Sequence, residues 1–330
     1  MIRTLLAGLV AAGVVAGMVT GAVGAPSGRL VVYTSQSSDQ MAKVIEAFRK
    51  THPDVRVELF RSGTTEVMNK LQAEFAAGRP QADVVLIADA VAMTLLKNDG
   101  RLLTVADAPA DKVPAALVDP DRTFFGTKLI TTGIVINTRL VESAPRSWNE
   151  LLPAAAAGKT ILAHPLYSGA AVIHVGTMVQ QDEFGWRYFE TLARNGAIAG
   201  RGNGAVIEAV ARGEKAYGVI IEYMAFNAKA KGSPVDFIFP QEGVSAISQP
   251  VAILKTSRNV EAAKAFVAWE LSEEAQRQSV EQGYFPIFAD VPPPKGYPPV
   301  SSLKIMSGDF AAMLASDENN KRRFMELFGG

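Results

Sequence analysis

The chain has 330 residues, of which 48% are hydrophobic and 20% are charged, so it carries enough apolar material for two globular domains. Its 33 basic and 33 acidic residues balance, and no long run of one charge appears, which disfavours a nucleic-acid partner because phosphate backbones require clustered positive charge. Cysteine is absent, which excludes disulfides, cysteine-ligated metals and lipidated cysteines.

The N-terminus differs from the rest of the chain. After a short basic start, the segment from Leu5 to Val23 carries no charge and is rich in Ala, Val and Gly. This pattern predicts a secretory signal peptide over residues 1–25, cleaved near Gly24 or Ala25, and therefore an exported, periplasmic protein. A retained membrane anchor is the open alternative, because about 20 apolar residues are long enough to cross a bilayer.

From Arg29 onward, apolar runs of strand length alternate with segments of helical periodicity. Strands are predicted at 30–33, 55–59 and 82–87, with helices between them, and a second series includes strands at 160–163 and 217–221. Such alternation is typical of parallel sheets. Two α/β units in series predict a cleft between them, with the ligand at the carboxyl ends of the strands.

Three of the predicted strand-to-helix turns contain Ser, Thr and Gly. Such turns expose backbone N–H groups and the positive end of the helix dipole, so together they can hold an anion without a buried Lys or Arg. Plain N-capping is the structural alternative. The candidate ligand-binding residues in these turns are Ser35, Ser37, Ser62, Gly63, Thr64, Thr65, Ser168, Gly169 and Ala170.

Other polar residues also follow predicted strands. Glu222 and Tyr223 come directly after one strand, where the carboxylate suits a ligand ammonium or hydroxyl and the phenol suits hydrogen bonding or stacking. Asp89 either contacts the ligand or caps the next helix. Asn203, in a glycine-rich segment, is expected to face the cleft.

No residue pattern indicates catalysis. The G-x-S-x-G motif is absent, and His164 and His174 lack the paired spacing of a metal site. We therefore assign no catalytic residue, no metal ligand and no cofactor, and we expect that the protein is not an enzyme.

Four segments carry a resemblance to a known family: R-L-V-V-Y-T-S-Q, V-E-L-F-R-S-G-T-T-E-V-M-N-K-L, A-D-V-V-L-I-A-D and I-I-E-Y-M-A-F-N-A-K-A-K-G. They resemble type 2 periplasmic binding proteins, in the cluster of ferric-iron, 2-aminoethylphosphonate and sugar-phosphate binding proteins. The resemblance implies an α/β fold with two lobes joined by two crossing strands. It places the first lobe at 26–129, the second at 130–250, and a return to the first lobe with the C-terminal tail at 251–330.

The resemblance also implies a monomer that delivers its ligand to an inner-membrane ABC permease. The iron-binding members use a His, a Glu and two adjacent Tyr, which align with Ser37, Ala88, Glu222 and Tyr223, so only Tyr223 matches. We therefore expect a small organic anion, a phosphonate or phosphate ester. Ferric iron is one alternative, and an exported phosphate-ester hydrolase is another.

Overall fold

The computed structural model describes residues 25–153 and 156–329. The predicted signal peptide therefore lies, apart from Ala25, outside the described residues. Within the described ranges, no helix combines the length and the apolar composition that a bilayer crossing requires.

The first part of the chain alternates between strand and helix, as predicted. Its elements are β1 (Gly28–Thr34), α1 (Ser38–Thr51), β2 (Val55–Arg61), α2 (Thr64–Ala76), β3 (Val84–Leu86) and α3 (Ala90–Asn98). Strand β1 pairs in parallel with both β2 and β3. Leu30 and Val32 of β1 are fully buried with Phe48 of α1, so the apolar face of each element meets one core. This unit is the first lobe.

A long strand, β4 (Phe124–Asn137), then leads into the second α/β unit. The following elements are β5 (Thr160–Ala163), α4 (Gly169–Val179), α5 (Gly185–Arg194), β6 (Ile198–Gly200), α6 (Gly202–Ala211), β7 (Tyr217–Ile221), α7 (Glu222–Ala230) and β8 (Val235–Ile238). Strand β5 pairs in parallel with β6 and β7, and β4 pairs antiparallel with β7 and β8. This unit is the second lobe.

Two antiparallel strands connect the lobes. Strand β9 (Ser245–Ile253) pairs with β4 along most of its length, and its last residues also pair with β3 of the first lobe. The far end of β4 pairs with β7 and β8 of the second lobe. The sheet order is β2-β1-β3-β9-β4-β7-β5-β6, with β8 attached to β4, so one continuous sheet crosses between the lobes.

The C-terminal segment divides between the two lobes. Helices α8 (Val260–Glu270) and α9 (Glu273–Glu281) return to the first lobe, where α8 packs on β1. Helix α10 (Phe310–Phe328) lies mainly on α4 and α5 of the second lobe, where its fully buried Phe324 packs against Phe189 with ring centroids 5.8 Å apart, and it also contacts α3 of the first lobe. The assignment of the C-terminal tail to the first lobe stays a prediction, and the structure shows contacts of this helix with both lobes. The other lobe boundaries stay predictions.

Candidate functional site

A cavity of about 350 Å³ lies between the two lobes. It is bordered by the turns that follow β1, β2 and β7 and by the first residues of α2, α4 and α6. Of the predicted site residues, those that line this cavity are Ser35, Ser37, Ser62, Gly63, Thr64, Ser168, Gly169, Ala170, Asn203 and Tyr223. The structure thus brings together residues that are up to about two hundred positions apart. Their role as ligand contacts stays a prediction.

Helix N-termini dominate the walls of the cavity. Helices α2, α4 and α6 begin at Thr64, Gly169 and Gly202, and all three residues line it. The first N–H groups of a helix have no partner within that helix, and the helix dipole places partial positive charge there. Three such ends around one cavity produce a field that favours an anion.

Several of the serine hydroxyls in these walls have structural partners. The Ser35 hydroxyl accepts from the backbone N–H of Ala88 at 3.0 Å, which joins β1 to the turn after β3. The Ser168 hydroxyl accepts from the N–H of Ala171 at 3.3 Å, so it caps α4. Asn203 donates to the same hydroxyl at 2.9 Å. The turn at Ser168 therefore both caps α4 and lines the cavity.

Glu222 contradicts its predicted role at the ligand. Its side chain is fully buried and turned toward the crossing strand, where it accepts from the Thr131 backbone N–H at 2.6 Å and from the Thr131 hydroxyl at 3.1 Å. Burial raises the pKa of this carboxyl to about 8, despite those hydrogen bonds. Glu222 points away from the cavity because it is the first residue of α7 and packs against β4. The next residue, Tyr223, lines the cavity instead.

Asp89 and Thr65 also lie outside the cavity lining. Asp89 is buried and accepts from the Ala92 N–H at 3.0 Å, so the capping interpretation holds at this position. Burial raises the pKa of Asp89 to about 7. The Thr65 hydroxyl donates to the Pro165 carbonyl at 3.4 Å, which is a contact from one lobe to the other.

Two arginines in the cavity wall were missed at the sequence level. Arg61, the last residue of β2, donates from Nε to the Gln36 carbonyl at 3.2 Å and from Nη2 to the Ser35 carbonyl at 3.5 Å. Arg201 follows β6, pairs with Glu66 and stacks 5.0 Å from the centre of the Tyr167 ring. Both sit at strand ends, so the rule that selected the serines and threonines identifies them too.

Two phenols form part of the cavity floor. Tyr223 and Tyr284 lie with ring centroids 4.3 Å apart, and burial raises the pKa of both. Among the residues that the structure describes, no group of three or more His, Asp or Glu side chains is arranged to hold a metal ion. Any metal here would depend on the tyrosines.

Two curated proteins are similar to the chain over most of its length. An uncharacterized protein of Haemophilus influenzae is 27% identical over 267 residues, which are 78% of this chain and 76% of that protein. The probable ABC transporter periplasmic-binding protein y4fP of Sinorhizobium fredii is 26% identical over 73% of this chain and 68% of its own length.

Two solved structures share the fold. The periplasmic binding protein AfuA from Actinobacillus pleuropneumoniae, with exogenous fructose-6-phosphate bound, matches with a TM-score of 0.82 at 24% identity, over 91% of this chain and 98% of that one. Iron-bound HitA from Pseudomonas aeruginosa matches with a TM-score of 0.79 at 19% identity, over 90% and 99%. These matches confirm the two-lobed fold.

The matched family provides the last comparison. Residues 34–277 match the family described as bacterial extracellular solute-binding protein. This region includes both crossing strands and every residue of the cavity lining except Tyr284. The chain therefore belongs to the bacterial extracellular solute-binding protein family.

Proposed function

We propose that the protein is the periplasmic substrate-binding component of an ABC importer, and that its ligand is a small organic anion with a phosphate or phosphonate group. Family membership and the relative described as a probable ABC transporter periplasmic-binding protein support the transport role. The fructose-6-phosphate complex of AfuA and the iron complex of HitA show that this fold carries very different ligands. The ligand class must therefore be argued from the cavity of this chain.

The observation that carries the proposal is the position of Arg61 beside the helix N-termini. Its guanidinium lines the cavity and contacts two backbone carbonyls, and within the described ranges it forms no ion pair with a carboxylate. A guanidinium presents several N–H donors in a planar fork that matches phosphate oxygens. With the partial charges of three helix ends, it makes the cavity strongly selective for an anion.

The remaining lining favours a neutral, hydroxylated body for the ligand. Glu66, the carboxylate in the cavity wall, is occupied by Arg201 and Ser62, and Glu222 is turned to Thr131. No carboxylate in the described lining is therefore left to receive a ligand ammonium. The lining also includes the neutral polar side chains of Gln36, Ser37, Asn203 and Gln249, each of which hydrogen-bonds to another side chain of the protein. They suit the hydroxyls of a phosphate ester better than the amine of an aminophosphonate.

A thermal-shift screen tests this proposal. The panel contains fructose 6-phosphate, glucose 6-phosphate, glycerol 3-phosphate, 2-aminoethylphosphonate, citrate and ferric citrate. A ligand at about 100 times its dissociation constant stabilises the folded protein by about 2.7 kcal/mol, which gives a clear shift in melting temperature. We expect stabilisation by at least one phosphate ester. Stabilisation by ferric citrate alone would contradict the proposal.

Ferric iron is the second candidate, because Tyr223 and Tyr284 lie together in the floor of the cavity. Phenolate oxygens are hard donors that suit this ion. A ferric complex would show a visible charge-transfer band that disappears in Tyr223→Phe. We expect no such band when the purified protein is mixed with ferric citrate. A strong band lost in this variant would replace the organic-anion proposal with iron.

An exported phosphate-ester hydrolase is disfavoured by the positions of the two cleft-side histidines. His164 contacts the Gly329 carbonyl at 2.7 Å, and His174 is buried against the Ser245 hydroxyl at 3.0 Å, where burial lowers its pKa to about 3. Neither lines the cavity. We propose binding without turnover, and phosphate release from any ester of the panel, abolished by Arg61→Gln, would contradict this.

A further inference from the structure

A carboxylate of the protein already accepts hydrogen bonds from groups that the proposed ligand would also use. Glu66, in the first turn of α2, accepts from the Ser62 hydroxyl and forms an ion pair with Nη2 of Arg201 from the second lobe. All three residues line the cavity between the lobes. Glu66 therefore occupies part of the anion-binding turn as an internal anion.

Both members of the pair are charged at neutral pH, and both are exposed enough for a ligand anion to replace Glu66 at Arg201. Hydrogen bonds from Ser62, Arg201 and the Gly63 backbone lower the pKa of Glu66, and Glu66 raises the pKa of Arg201. Their side chains are 36% and 71% exposed. Ion pairs at such exposure contribute little to stability, about 0–1 kcal/mol, so a competing anion can displace one partner from the other at small cost.

We propose that Glu66 is a specificity-determining residue, an internal carboxylate that competes with the ligand for Ser62 and Arg201. This inference depends on the proposed function, because it assumes that the ligand is an anion. A tethered group acts at an effective concentration of about millimolar or higher. A ligand carboxylate offers the same two oxygens and the same single charge as Glu66, so it gains nothing by replacing it.

A phosphate or phosphonate group differs in both respects. It presents three acceptor oxygens and a charge of about −1.5 to −2 at neutral pH. It can therefore accept from Ser62 and Arg201 with two of its oxygens and keep a third for another N–H group of α2, whereas a carboxylate has no third oxygen. In this way Glu66 excludes carboxylate analogues while phosphorylated ligands of the same shape still bind.

The alternative role for this ion pair is a clasp that holds the lobes together. The two roles predict opposite signs for the same substitution. If Glu66 is a competitor, Glu66→Gln strengthens binding of carboxylate ligands, and Arg201→Gln weakens binding of carboxylate and phosphorylated ligands. If the pair is a clasp, both substitutions weaken binding to a similar extent, for phosphorylated and carboxylate ligands alike.

The experiment uses pairs of probes in which a carboxylate replaces the phosphorus group; the second pair below keeps the same body, and the first also loses the CH2–O link. Glucose 6-phosphate is paired with glucuronate, and 2-aminoethylphosphonate is paired with β-alanine. Dissociation constants are measured by calorimetry for the wild-type protein, Glu66→Gln and Arg201→Gln. We expect Glu66→Gln to improve binding of the carboxylate probe by about fivefold, the upper limit for an ion pair of this exposure, while the phosphorylated probe changes by less than about twofold, since only the carboxylate is excluded by the tethered group.

Each outcome decides between named possibilities. A phosphate-to-carboxylate ratio that is the same in wild type and Glu66→Gln would overturn this inference alone, as would equal weakening by both substitutions. A wild-type protein that binds neither phosphorylated probe, nor the fructose and glycerol phosphates of the first panel, would overturn the proposed function, and this inference would fall with it.

Discussion

Glu222 and Thr131 join the second lobe to a crossing strand through a buried carboxyl. One carboxyl oxygen of Glu222 accepts from both the backbone N–H and the hydroxyl of Thr131, at 2.6 and 3.1 Å, and the other has no hydrogen-bond partner within the described chain. A buried carboxylate with one unsatisfied oxygen is costly, so the protonated form is favoured. The stability of the folded protein therefore depends on pH.

We expect the stability of the protein to fall as pH rises from about 7 to 8.5, above the range in which His174, whose pKa is about 3 in the folded protein, takes up a proton on unfolding. The pKa of Glu222 rises from its ordinary value of 4.5 to about 8 in the folded protein, and that of Asp89 rises from 3.8 to about 7. The folded state therefore binds protons that the unfolded state has released, and this contribution is lost as pH rises through the folded pKa values. Urea denaturation across this pH range measures the free energy of unfolding.

The variant Glu222→Gln isolates the contribution of the Glu222 carboxyl to the pH dependence of stability. Its amide does not titrate, so the free energy of unfolding should depend less steeply on pH than in wild type, and Asp89→Asn should remove a further part of the slope. Parallel pH curves for wild type and Glu222→Gln would contradict the assignment. Since Glu222 does not face the cavity, the same variant should bind phosphorylated and aminated ligands as wild type does.

Strand ends were predictable from the sequence, and side-chain directions were not. The alternation of apolar strands with helices placed Ser62 and Gly63 at a strand-to-helix turn, and the structure puts both in the cleft. Glu222 satisfied the same rule. Its side chain turns away because its partner, Thr131, lies in a strand 91 positions earlier, and no local pattern reports such a contact.

The two arginines and the last helix illustrate the same limit. Arg61 and Arg201 stand at strand ends, so position in the chain identifies them, whereas a signal limited to hydroxyls and glycines does not. The docking of helix α10 on the second lobe depends on Phe324 meeting Phe189, which are distant in sequence. Local periodicity predicts elements, and long-range packing decides what they face.

Arg61→Gln should weaken binding of the anionic ligand by about 10- to 150-fold, because a charge-assisted hydrogen bond contributes about 1.5–3 kcal/mol. Arg56→Gln is the matched control: it changes the same residue type on the same strand, but Arg56 is exposed and pairs with Glu58 at 3.1 Å. Calorimetry with the best phosphorylated ligand measures both. Equal ligand affinities of the two variants would show that Arg61 does not contact the ligand.

Gly169→Ala should hold the lobes apart. A Cβ added to Gly169 would lie 2.5 Å from the Ala88 carbonyl oxygen and 2.7 Å from Asp89 Cβ, and both of those groups belong to the first lobe. Its backbone does not require glycine, and alanine favours helix by about 0.5–1 kcal/mol. The second lobe itself should therefore be as stable as in wild type. The clash is relieved only by opening at the crossing strands, which enlarges the cleft.

The expected result is weaker ligand binding, by about tenfold or more, together with a larger radius of gyration in solution scattering with ligand present, because a ligand held by both lobes loses half of its contacts when they cannot close. Gly204→Ala is the control, since Gly204 also lines the cavity but an added Cβ meets no atom within 4 Å. Wild-type compaction and affinity in Gly169→Ala would show that the lobes do not need to approach at this contact. Loss of affinity in Gly204→Ala alone would show that the ligand lies against α6 and does not require the approach of the lobes at Gly169.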